Sequence, residues 1–315
     1  MRRSIGILIV IVIVVVAVAV AVSRGGLPPV APTPAGSFSF GVFGDAPYFP
    51  DEELRYPILL RHIDAHDLAF VVHVGDIFWH PCTDEHYAEA LRHFNQLHEP
   101  VIYTPGDNEW TDCWEDGSGG YAPLERLARI RTIFFANPNR SLGGHPIPLT
   151  SQGGEFVENA RWSRGGIVFA TVNLPGSNNS TRPFPKRTAA DDAAVRRRTE
   201  AAAAWTRAAF AEARAANARA VVIAFQANLG IGKQRQRLYE PFVSTVEEEA
   251  RRFARPVLLA HGDGHVYIVD HPLPEANITR LQVPGSPQVG WVRVVVTPDT
   301  KFQFTKIVVP FWKMW

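Results

Sequence analysis

The dipeptide Gly-Asp occurs four times in the 315 residues, as Gly44-Asp45, Gly75-Asp76, Gly106-Asp107 and Gly262-Asp263. Chance pairing gives about one. Each pair closes an apolar run, and the first three aspartates follow at intervals of 31 residues, the length of one strand-helix unit. Parallel strands all end on one edge of their sheet, so this spacing gathers the carboxylates where open α/β sheets bind ligands. Carboxylates so crowded repel one another, and a divalent cation removes the repulsion. His265, two residues past Asp263, adds an imidazole. Oxygen donors with one nitrogen suit Mn, Mg, Ca or Fe better than zinc. The plainer alternative is a doubly wound domain whose strand-end aspartates only cap helices.

The elements that must position these residues are legible from periodicity. Residues 37–44 alternate and are rich in Phe, as a strand requires. Residues 51–66 carry Leu54, Ile58, Leu59 and Ile63 near helical spacing behind three acids, and 84–98 place Tyr87, Leu91, Phe94 and Leu97 on one helical face. Short apolar runs at 69–74 and 100–103 complete a strand-helix-strand-helix-strand unit with a parallel sheet. A long loop region, 111–154, follows, interrupted by a helix at 124–135. Strands are expected at 166–173, 220–225 and 257–260, and helices at 189–217 and 238–254. The segments 266–270, 290–296 and 302–309 alternate like antiparallel strands. No linker breaks 37–315, which reads as one α/β domain.

A hydrophobic fraction of 46% excludes a disordered chain, and near-balance of Lys plus Arg (32) against Asp plus Glu (31) gives no field for nucleic acid. Arg2 and Arg3 precede an unbroken apolar stretch from Ile5 to Val22. Residues 1–23 are therefore a signal peptide, favoured by Ala17, Ala19 and Ala21, or a single-span anchor, favoured by length. Both readings export the body, and a membrane is a partner if the segment is uncleaved. Residues 24–36 form a stiff Pro-rich tether. Cys82 and Cys113 each follow a Gly-Asp strand end in adjacent units, so one disulfide is expected; unrelated thiols or a metal pair are the alternatives. There is no nucleophile elbow, phosphate loop or GxGxxG.

The ordered motifs resemble those of the calcineurin-like metallophosphoesterases over nearly all of 38–309. In PGDNEW the chain resembles the family's third motif, in VVIAFQAN the fourth, and in HGDGH the fifth. The resemblance implies a central β-sandwich flanked by helices, one or two divalent metal ions, and hydrolysis of small-molecule phosphate mono- or diesters by metal-activated water. It implies that Asp76 bridges two cations, that Asp45 and His265 complete the first site, and that Asp107, Gln226 and Asp263 serve the second.

The chain departs from the family pattern at several positions. Pro47 stands where a metal-binding His is usual, Gln226 replaces a lone His, and Asn108 replaces the His beside the leaving group. Either Asn108 assists there, or a shifted register makes Asn108 a ligand and gives acid-base work to Glu109. A non-catalytic or single-metal relative is the alternative function. His261, at a strand end, is a candidate catalytic residue or a packed histidine. Asn228, with Asn178 and Asn179, is a candidate substrate contact, the last two being equally readable as turn residues. His62, His66, His86, His93 and His98 are expected on helix surfaces, as is the run Arg196–Arg198.

Overall fold

The computed structural model describes residues 27, 30–230 and 237–311; the apolar segment read as signal or anchor lies outside them. In chain order come β1 (Phe38–Phe43), α1 (Pro50–Asp64), β2 (Val71–His73), α2 (Asp84–Gln96) and β3 (Val101–Tyr103). Then follow α3 (Pro123–Phe134), β4 (Thr150–Ser151), β5 (Ala160–Arg164), β6 (Ile167–Thr171) and α4 (Ala189–Ala215). The chain continues through β7 (Ala220–Ala224), α5 (Glu240–Phe253), β8 (Val257–His261), β9 (Ile268–Asp270) and β10 (Ile278–Gln282). It closes with β11 (Gly290–Val296) and β12 (Phe302–Val308).

Local chemistry sets the helix ends. Pro50 opens α1, whose first turn carries Asp51, Glu52 and Glu53 against the positive end of the helix dipole. The Thr83 hydroxyl accepts from the His86 N–H at the start of α2, and Thr188 with Asp191 forms a capping box on α4. Each predicted helix is found, most of them a residue or two shorter at their ends.

Two sheets pack face to face, with strand orders β12-β11-β1-β2-β3 and β4-β5-β6-β7-β8-β10-β9. Strands β1, β2 and β3 are parallel, as the spacing requires, while β11 pairs antiparallel with β1. Between the sheets, Phe40, Val42, Phe70 and Val72 share a buried cluster with Phe169, Val222 and Leu258. Each such side chain contributes roughly 1.5–3 kcal/mol by leaving water. The outer faces are covered by α1, α2 and α3 on one side and by α4 and α5 on the other. This is the sandwich that the resemblance implies.

One expectation is corrected by the topology. The first three Gly-Asp pairs end strands of the first sheet, but the fourth follows β8 in the second. The aspartates therefore meet across the mouth of a sandwich, not along one sheet edge. Strands β4, β5 and β10 had no periodic signal strong enough to be anticipated. Surface assignments are also corrected: His62 and His66 are half-buried against Trp291, His86 and His93 are half-buried, and Arg198 is buried. The disulfide joins Cys82 to Cys113 as expected.

Candidate metal centre

Each strand-end loop delivers one carboxylate to the same end of the sandwich. Asp45, Asp76 and Asp263 adopt left-handed backbone conformations, with φ of 54°, 58° and 63°. Asp tolerates this region better than most residues, so the sharp turn falls on three of the aspartates themselves. The preceding glycines serve mainly for close approach. A Cβ on Gly106 would lie 2.1 Å from Asp76 Oδ1, and one on Gly176 would strike both Asp107 and Asp263.

Ligating atoms of Asp45, Asp76 and His265 all lie within 4.8 Å of one another. The first two residues are buried and His265 is half-buried. The Asp263 N–H donates to both Asp45 oxygens, and the Asn108 N–H donates to Asp76 Oδ1 at 3.1 Å. His265 is oriented by Nδ1, 2.9 Å from the Ser286 carbonyl. A carbonyl partner makes Nδ1 the protonated nitrogen and leaves Nε2 with a lone pair for a cation.

Burial, followed by repulsion between neighbours, sets the electrostatics. Loss of water pushes Asp45 and Asp76 well above the usual carboxylate range, and Asp263 and Asp107 push Asp45 further. Asp263 is pushed up to about 7, first by burial and then by Asp107. Such a group of acids takes up protons unless a cation sits among them. The three converging donors, two hard oxygens and one imidazole, fit a divalent cation whose ligands stand roughly 2.0–2.6 Å away.

The other predicted residues divide. Asp107 joins the cluster, but Gln226 enters it as a donor and not as a ligand. Its Nε2 lies 2.8 Å from Asp107 Oδ1 and 3.2 Å from Asp76 Oδ2, while its Oε1 accepts from the Gly176 N–H. Glu109 is fully buried behind Asp76, accepting from the Asp76 N–H, the Gly106 N–H and the Tyr103 hydroxyl. Burial raises it to about 7, against the opposing pull of those hydrogen bonds. It is a brace for the loops. Asn108, half-buried, stays at the cluster edge.

His261 has the surroundings of a packed histidine. Along β8, Val257 and Leu259 belong to the helix-side core, and His261 follows the same alternation. Its ring stacks on Phe225 at 5.4 Å, and burial lowers its pKa to about 4. Its Nδ1 lies 2.9 Å from the Gly262 carbonyl. Asn179 is likewise structural: buried, it donates to Thr199 Oγ1 and the Leu238 carbonyl and accepts from Arg198. Asn178 and Asn228 do face a common space. They line an open pocket of about 340 Å³ with Ser177, Arg182 and Asp263.

Sequence reasoning missed three participants. The Tyr48 hydroxyl donates to Asp76 Oδ2 at 2.7 Å. Ser177 Oγ lies within hydrogen-bond distance of both Asp107 and Asp112, its single proton shared between them, within a left-handed turn running from Ser177 to Ser180. Arg182 pairs with Asp112 and Glu115 at the pocket rim. Tyr48 had one available signal, its place three residues beyond Asp45; Ser177 and Arg182 had none.

No family model and no curated protein matches the sequence. Among solved structures, the chain is similar to a dimetal phosphatase from Danio rerio, with TM-score 0.54 and 11% identity over 87% of this chain and 99% of that one. It is also similar to a 5'-nucleotidase from Candida albicans, with TM-score 0.50 and 11% identity over 91% of this chain and 54% of that one. The chain thus shares the fold of these two proteins, a two-sheet α/β sandwich flanked by helices.

Proposed function

We propose that this protein is an exported, divalent-cation-dependent phosphoesterase acting on small phosphate mono- or diesters. The observation that carries the proposal is the convergence of Asp45, Asp76 and His265 within 4.8 Å, at the open end of a fold shared with a dimetal phosphatase. A divalent cation there supplies Lewis-acid polarisation and neutralises charge developing on phosphoryl oxygens. The remaining work falls to the chain. Arg182, with Asn178 and Asn228, lines the pocket where ester oxygens are held and oriented. Asn108 donates a hydrogen bond toward the leaving-group oxygen, and Glu109 fixes the loops that aim Asp76.

The test is turnover of aryl phosphate mono- and diesters by the full chain, cation-free and then loaded with Mn, Mg, Ca or Fe. Cation-dependent hydrolysis supports the proposal. Tight cation binding without turnover of either ester would replace it with the binding-only alternative.

Export is supported by the apolar segment and by the disulfide, since such bonds persist in oxidising compartments. A reporter active only in the cytoplasm, fused after Trp315, is expected to stay silent. Reporter activity there rejects export.

A further inference from the structure

Resting on the metal-centre reading above, we propose that Gln226 stands in for a second cation, so that the chain holds one divalent ion where a dimetal site would hold two. Gln226 is fully buried, and its amide nitrogen lies between Asp107 Oδ1 at 2.8 Å and Asp76 Oδ2 at 3.2 Å. Those are the two carboxylates that the resemblance assigns to a second ion. The two N–H groups of one neutral amide therefore satisfy two acids that would otherwise face each other unscreened.

The amide cannot simply turn its oxygen to an incoming ion. Oε1 already accepts from the buried Gly176 N–H. Rotation would set the NH2 group against that N–H and leave a buried donor unpaired. The other acids of this half of the centre are engaged by neutral donors too. Ser177 Oγ lies within hydrogen-bond distance of Asp107 Oδ2, and the Asn228 N–H donates to Asp263 Oδ2 at 2.6 Å. Asp45 and Asp76 also accept from neutral groups, yet with His265 they form the one cluster of three ligating groups among the described residues. The asymmetry lies in the side chains, while the backbone loops for both halves are in place.

The test is cation stoichiometry of the full chain, by elemental analysis after saturation with Mn and by the electron paramagnetic resonance of the bound ion. Wild type is expected to hold one Mn per chain, with the spectrum of an isolated ion. Gln226→Glu exchanges the bridging donor for an acceptor, so a second ion is expected, with the spectrum of a coupled pair. Gln226→His is the companion variant should the first fail to fold, with the same expected gain. Two ions in wild type, or no gain in a folded variant, overturns the inference and leaves the phosphoesterase reading standing. No bound ion in wild type overturns both.

Discussion

The backbone N–H of Asp263 lies 2.9 and 3.0 Å from the two carboxylate oxygens of Asp45, although 218 residues separate them. One hydrogen-bonding group thus joins the loop after β1 in the first sheet to the loop after β8 in the second. The two sheets meet at the site itself.

That contact orients Asp45 and offsets part of what burial of its carboxylate costs the cation-free protein. A buried acid with a raised pKa binds its proton more readily folded than unfolded, so stability falls as pH rises from the ordinary carboxylate range. Asp45→Asn keeps an acceptor for Asp263 and removes the charge. The cation-free variant is expected to melt higher than wild type at neutral and alkaline pH. Wild type should gain about 3 kcal/mol from cation at a hundredfold excess over Kd. The variant should gain almost nothing and lose turnover. Paired melting curves with and without Mn decide the matter.

Glu109 is expected to act through the fold. Gln in its place presents an NH2 group to a set of donors comprising Asp76 N–H, Gly106 N–H and the Tyr103 hydroxyl. Glu109→Gln should cost about 1–3 kcal/mol in urea unfolding, the usual result of an unpaired buried donor. An activity loss with unchanged stability would instead assign it proton transfer.

His73 supplies a pH dependence of opposite sign. Burial lowers it to about 3, and its ring packs on Phe43 and Phe94. Below pH 6.5 or so the unfolded chain takes a proton there that the folded chain refuses, so stability falls as pH falls toward 3. At pH 5 the loss amounts to about 2 kcal/mol. His73→Phe should flatten that slope in urea midpoints measured from pH 7 to pH 5, whatever its effect on absolute stability. An unchanged slope rejects the assignment.

The Cys82–Cys113 bond spans 31 positions and should contribute about 3.7 kcal/mol by restricting the unfolded chain. Reduction, or Cys113→Ser, is expected to lower the urea midpoint accordingly. Peptide mapping without reductant should recover the linked pair. Two free thiols in the unreduced protein would contradict the bond.

The sequence alone determined the strand-end aspartates, the parallel run of β1 to β3 and the cysteine pairing. Those features are local or regularly spaced: an apolar run, a turn residue, and 31 residues to the next. It also placed Asp45, Asp76, Asp107, Asp263 and His265 in one neighbourhood. What it could not decide was which sheet β8 joins, because strand membership depends on how two sheets stack and not on any strand's own pattern. The face taken by His261 depended on the same stacking. Gln226 shows the limit most sharply. Its residue type allows ligand or donor, and only the Gly176 N–H, 50 positions away in sequence, turns the amide nitrogen toward the acids. An amide has a donor end and an acceptor end, and tertiary contacts alone decide which one the site receives.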